Sequence, residues 1–374
     1  MFFGRHEAFR FVKEHFLRQG ERAPIVLYGQ PRIGKTSLLQ NLDQWSTPSL
    51  FPIYADMQRS AQVDSTGGLL FNLSKTIGQQ LAARGVGVRQ PSLEAFASEP
   101  FIVFDNFLDE VERSVRAPEN RIILALDEFE QIEKQLTAGK VSADLMDFLR
   151  GMMQSRSGIG MIFAGTHTLD EMVSNLWTQY FRSALSCHVS YLDEDSARSL
   201  ITNPIKEFPL NYEPEAVDFL IEQTHCHPCL IQLACSVLVD LKNAQKSRHA
   251  SIADVKQAFE KVLKEAGKNV FPGIWGWIPS GEQKLLAALA SSEPATVTQL
   301  ARALARPEAE VNAMIERLVE NEVLTRNEED CRFQVALFRQ WVSRHAMRMG
   351  MDFIESKDAA SRIAAGSGTA IGSQ

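Results

Sequence analysis

Residues 29–37 read Gly-Gln-Pro-Arg-Ile-Gly-Lys-Thr-Ser, and their types and spacing are those of a loop that holds phosphate. Gly29 lets the chain leave a strand in a conformation that a side chain would obstruct, and Gly34 lets backbone N–H groups close on an anion. Gln30, Pro31, Arg32 and Ile33 supply the backbone that wraps the phosphates. Lys35 brings a positive charge to the outer phosphates and Thr36 offers its hydroxyl to Mg²⁺; Ser37, one place further on, is the weaker candidate for that ligand. A helix starting here adds its unpaired N–H groups and its macrodipole. A glycine-containing turn with no ligand is the competing reading. Against it stand an apolar run of strand length, Pro24 to Tyr28, and helical apolar spacing from Ser37 to Leu42.

A second constellation lies near residue 127. Arg121 to Leu126 is a nearly continuous apolar run, as in a strand buried on both faces, and it ends in Asp127-Glu128-Phe129-Glu130. Acidic residues at a strand's carboxyl end stand where ligands bind in open α/β sheets. Asp127 then holds Mg²⁺ through water and Glu128 polarises an attacking water, with helix capping as the competing role for both. Glu130 reads as the solvated side of the following helix. Thr166, after the apolar stretch Gly158 to Ala164, is placed to sense a γ-phosphate. Arg182 falls before a fifth apolar stretch, Cys187 to Leu192; it is within reach of transition-state charge or is an ordinary surface arginine. Gly4-Arg5 forms a turn ahead of the first strand and offers a wall for adenine, while the amphipathic helix after it covers a sheet edge. His227-Pro228 opens a helix, where His227 either touches a phosphate or caps the helix. The ligands implied are ATP or ADP with Mg²⁺.

The elements that must position these residues follow from pattern. The chain has 374 residues, 45% of them hydrophobic and 23% charged, which suits two or three globular domains. Residues 1–192 alternate strand and helix and read as the P-loop core. Residues 193–268 carry four helical stretches, read as a lid; 269–279, rich in Gly, Pro and Trp, read as a linker. Residues 280–350 give three helices and a two-stranded wing, the pattern of a winged helix, and 351–374 a helix end and an unstructured tail.

The formal net charge of −7 gives no general attraction to nucleic acid or to an anionic membrane. The third helix of the winged region carries Glu308, Glu310, Glu316 and Glu320, and the wing turn is Asn327-Glu-Glu-Asp330. DNA contact is thus possible by fold but disfavoured by charge. Five cysteines at irregular spacing fit reduced thiols; Cys226-His227-Pro228-Cys229 has no second metal-ligand pair after it. No apolar run reaches about 18 residues, so a membrane span is not expected.

Taken together, Phe3-Gly4-Arg5, residues 29–37, Leu126-Asp127-Glu128-Phe129, Ala164-Gly165-Thr166, Arg182 and Cys226-His227-Pro228 resemble the signal-transduction ATPases with numerous domains (STAND), in their archaeal-type branch within the AAA+-related P-loop group. The resemblance implies an α/β fold with a five-stranded parallel sheet in the order 5-1-4-3-2, a helical lid and a winged-helix domain. It implies a lid and winged helix that clamp ADP at rest and open on ATP exchange; with the reduced thiols and the absence of a membrane span, the expectation is a slow, cytoplasmic ATPase signalling to a protein partner or a homo-oligomer. It departs from the family pattern at Cys226, where a glycine is usual before His-Pro. A related expectation is an origin-recognition-like AAA+ ATPase that binds DNA.

Overall fold

The computed structural model describes residues 2–18, 23–44, 46–60, 62–117, 119–166, 183–327 and 330–348. The expectations for Arg182, for Glu328 and Glu329 in the wing turn, and for residues 351–374 lie outside them. The chain divides into two compact units, Phe2–Ser190 and residues 191 onward.

The first unit is built on five parallel strands: β1 (Ile25–Tyr28), β2 (Leu50–Asp56), β3 (Arg121–Asp127), β4 (Ile159–Gly165) and β5 (Leu185–His188). Their order is β2-β3-β4-β1-β5, which is the expected 5-1-4-3-2 read from the other edge. Every residue of β3 and β4 is buried, as central parallel strands covered on both faces require. Alternation then sorts the side chains. Ile122, Leu124 and Leu126 join a core with Leu69 and Leu73 of one helix (Thr66–Ala83), Phe104 and Val111 of a second (Pro100–Val115) and Leu145 and Met152 of a third (Asp144–Ser155). The opposite face receives the helix His6–Leu17.

That N-terminal helix lies on a sheet face and not on a sheet edge, because β4 has no side chain at residue 160 to keep it away. A Cβ at Gly160 would stand 2.5 Å from the Phe16 ring. Phe9 and Phe16 are both 1% exposed, and burying each phenyl ring is worth about 2–3 kcal/mol. At the sheet's edge, Gln80 pairs with the Tyr54 N–H and C=O at 3.0 and 2.7 Å, satisfying main-chain groups of β2.

The second unit opens with helices Glu194–Thr202, Pro214–Thr224, Pro228–Ala244 and Ile252–Asn269, and a two-stranded pairing of Asn211–Tyr212 with His249–Ala250. The stretch expected to be a linker is itself a helix, Phe271–Trp277. Proline is tolerated in its first turn, and Phe271 and Trp275 pack on Trp341 with ring centroids 5.8 Å apart in both pairs. Apolar burial here overrides the turn propensity of Pro272, Gly273 and Gly276. Helices Ser280–Ser292, Val297–Leu304 and Glu308–Glu320 follow, then a hairpin of Leu324–Asn327 with Asp330–Phe333, and a final helix Ala336–Arg348. Asp330–Phe333 also pairs with the short strand Ala295–Thr296.

Candidate functional site

Strand register brings the sequence constellations to one edge of the sheet. Asp127 pairs with Ala164, Tyr28 with Gly165, and Asp56 with Asp127. The end of β1 therefore lies beside the end of β4, which lies beside the end of β3.

Two glycines shape the loop after β1 for different reasons. A Cβ on Gly29 would meet the Val189 carbonyl oxygen at 2.3 Å, so that residue is glycine because a neighbouring backbone passes against it. Around Gly34 the nearest atom is Arg5 Nη2 at 3.8 Å, so space is not the constraint there. Its φ of 110° is, since side-chain-bearing residues rarely adopt it. Lys35 is buried and its Nζ donates to the Gly29 and Gln30 carbonyls at 2.8 and 3.0 Å. Burial lowers its pKa, and the charges of Glu130, Glu128 and Asp127 offset this in part. The lysine thus sits inside the loop beside three carboxylates, a desolvated cation placed for anions.

Thr36 and Asp127 are neighbours, the Thr36 side chain being near enough to draw the Asp127 pKa down, so a hydroxyl and a carboxylate lie near one another where a cation could take both. This donor set, all oxygen, suits Mg²⁺. Asp127 is 2% exposed, and burial raises its pKa against the pull of Thr36, Tyr54 and Lys35. Tyr54 Oη donates to Asp127 Oδ2 at 3.1 Å, and burial followed by the Asp127 charge pushes the phenol well above its usual range. Alternation along β2 gives no hint of this partnership, so Tyr54 is not legible in the sequence.

Glu128 sits at φ 53°, in the left-handed region. The next residue explains how it is held there. Phe129 is fully buried, packs on Phe163 at 5.8 Å, and donates its N–H to the Ala164 carbonyl. Burial raises the Glu128 pKa, with Glu130 and Asp127 adding to it.

Glu130 corrects the sequence reading. It is 8% exposed, not on a solvated face. Its Oε1 accepts from the Thr166 backbone N–H and, at 3.1 Å, from the Thr166 hydroxyl. Arg5 holds the loop from the other side: Nη2 donates to the Ile33 carbonyl at 2.7 Å and Nη1 to that of Ser190. Arg5 and Gly4 both have left-handed φ values, 67° and 68°. Gln30 and Ile33 are buried and Pro31 half-buried, while Arg32, at φ 63°, Thr36 and Ser37 are exposed.

His227 and Pro228 belong to the second unit. His227 is fully buried and its ring lies 5.9 Å from that of Tyr191. It occupies the N-cap position of the helix from Pro228 but makes no side-chain cap bond.

Residues 18–173 match the AAA domain family. That stretch carries the phosphate loop, Asp127, Glu128 and Thr166. No curated protein matches the chain. Among solved structures, a Walker-type ATPase of Pyrococcus abyssi aligns with 91% of this chain and 96% of its own at a TM-score of 0.67 and 16% identity. The ORC2 protein of Aeropyrum pernix, solved as ADPNP–ADP complexes, aligns with 95% of both chains at a TM-score of 0.60 and 12% identity. The five-stranded parallel sheet with its helices is the fold of a P-loop NTPase, and residues 18–173 of it are similar to the AAA domain family. Among the described residues no helix is long and apolar enough to cross a membrane.

Proposed function

We propose that the chain is an ATP-binding and slowly hydrolysing molecular switch of the STAND type. The observation that carries this is strand register that brings the loop after Tyr28, with the buried Lys35, to the same sheet edge as Asp127 and a left-handed Glu128. The backbone of residues 29–37 wraps the phosphates and Lys35 neutralises the outer ones. Thr36 and Asp127 hold Mg²⁺, which when bound supplies charge neutralisation at the phosphates. Glu128 orients and polarises the attacking water, and Thr166 reads the γ-phosphate. Arg182 stabilises developing charge. Gly4 and Arg5 flank the nucleotide, and His227 and Pro228 report its state to the helical region 193–268. The helices and hairpin of 280–350 act as a winged helix that relays the change to a protein partner or a second copy.

Binding and turnover test the ATPase reading. Wild type binds ATP with Mg²⁺ and releases phosphate; Lys35→Ala loses binding; Glu128→Gln keeps binding and loses at least about a hundredfold in turnover. Wild type that binds no ATP, or unchanged turnover in Glu128→Gln, sinks the reading. Particle mass with ADP and with a non-hydrolysable ATP analogue tests the switch, since a switch of this kind changes assembly.

An origin-recognition-like DNA-binding ATPase is the second reading, favoured by the likeness in fold to an ORC2 protein. Charge pairing opposes it in part: Arg306 is paired with Glu310 and Arg317 with Glu282 at 2.7 Å, while Arg326 donates to the neutral Asn312 at 2.8 Å. The first two guanidinium charges are compensated by carboxylates, which weakens their pull on phosphates. A salt-dependent DNA titration separates the readings, with binding that weakens steeply as salt rises counting for DNA.

A further inference from the structure

We propose that Glu130 is an internal anion that holds the Thr166 hydroxyl until a γ-phosphate displaces it, making Glu130 a positioning residue for the choice between ATP and ADP. This rests on the nucleotide-binding reading above.

One oxygen of Glu130 accepts both the N–H and the hydroxyl of Thr166. The fold keeps room for this contact: a Cβ on Gly165 would lie 2.3 Å from Glu130 Oε1 and 2.7 Å from Oε2. Any side chain at residue 165 would evict the carboxylate. The second oxygen, Oε2, is buried with no hydrogen-bond partner among the described residues. Register places Gly165 beside Tyr28, one residue before the phosphate loop. Glu130 is also first among the acidic residues acting on Lys35, so it faces the same space as the cation expected on the outer phosphates.

The chemistry is competition for one proton donor. A threonine hydroxyl has a single hydrogen, and given to Glu130 it is not available to a phosphate oxygen. A γ-phosphate must take that donor from a carboxylate and approach a like charge while doing so. ADP has no third phosphate and leaves the contact undisturbed. Glu130 therefore opposes ATP selectively and holds the end of β4 in its resting arrangement.

Equilibrium binding of ADP and of a non-hydrolysable ATP analogue, each with Mg²⁺, tests this on the full chain. Glu130→Gln removes the charge and keeps the shape. Glu130→Asp withdraws the carboxylate by one methylene and serves if the glutamine variant fails to fold. In either variant, affinity for the ATP analogue relative to ADP rises about fivefold to tenfold, the scale of replacing or lengthening a charge-assisted hydrogen bond. In a Thr166→Val background the same substitution shifts the ratio less, because the donor that Glu130 withholds is already gone and only the like-charge part remains. If both nucleotides weaken together and the ratio stays constant, Glu130 is a structural brace and the inference is overturned, with nucleotide binding intact. Wild type that binds neither nucleotide overturns both.

Discussion

Glu128 is placed at a cost. A left-handed backbone on a side-chain-bearing residue costs roughly 1–3 kcal/mol, and the burial of Phe129 beside it holds that geometry. Its carboxyl is raised by burial and by Glu130 and Asp127. A carboxyl raised in the folded state contributes stability below its unfolded pKa of about 4.3, and that stability is lost as pH rises through the folded value. At neutral pH the ionised form therefore works against the fold. Glu128→Gln should raise the melting temperature of nucleotide-free protein by about 2–4 °C at pH 7. Scanning calorimetry at pH 7 and in acid checks this, because the gain should shrink as wild-type Glu128 protonates. A second expectation concerns Tyr54. Tyr54→Phe removes a donor from Asp127 and should raise the Mg²⁺ needed for half-maximal hydrolysis about tenfold, as read by a metal titration of phosphate release. The loop residues, Asp127 and Glu128 were legible as candidates because each motif suggests its own chemistry, and the register brings them to one sheet edge. Glu130 and Tyr54 were not: an acid in a helix's first turn reads as solvent-facing, and a tyrosine in a strand reveals its face but not its partner.

At the scale of elements, the helix Ile252–Asn269 is secured at its start by Ser251 and Asp254. Asp254 Oδ2 accepts from the Ser251 N–H at 2.8 Å and from Lys242 Nζ at 3.0 Å. Burial alone would raise the Asp254 carboxyl, but the Ser251 N–H and Lys242 outweigh it and bring it down to about 2. A depressed carboxyl adds stability above its unfolded pKa of about 3.9 and loses it as pH falls through the folded value. Asp254→Asn should cost about 2–3 kcal/mol at pH 7, because it leaves the buried Lys242 without its ion pair. Urea unfolding checks this, and the difference from wild type should shrink as pH falls from about 4 towards 2. The helices of this region were legible from 3.6-residue spacing. The helix Phe271–Trp277 was not, because Pro272, Gly273 and Gly276 mark a turn and nothing in that stretch announces Trp341, some seventy residues on, as its packing partner.

For the whole molecule, two compact units predict thermal unfolding with more than one transition. A ligand raises the transition of the unit that binds it, by about 2.7 kcal/mol at a hundred times its dissociation constant. ATP with Mg²⁺ should therefore move one transition upward by several degrees and the other much less; a single cooperative transition that moves as a whole would refute the separation. Sheet order was open to the sequence only through family resemblance, since strand pattern says which segments pair well but not with whom.

The chain leaves the first unit after Ser190, and the residues at that exit are the ones that press on the phosphate loop. The Val189 carbonyl takes the space that a Gly29 side chain would fill, and Ser190 and Ile33 are joined through one arginine, Arg5. In mechanical terms the loop lies on the load path. Tension applied to the backbone at residue 191 falls first on Arg5 and the nucleotide cradle, before the ladder of the five strands. A molecule pulled from its ends should therefore surrender its nucleotide at a lower force than the one that tears the sheet.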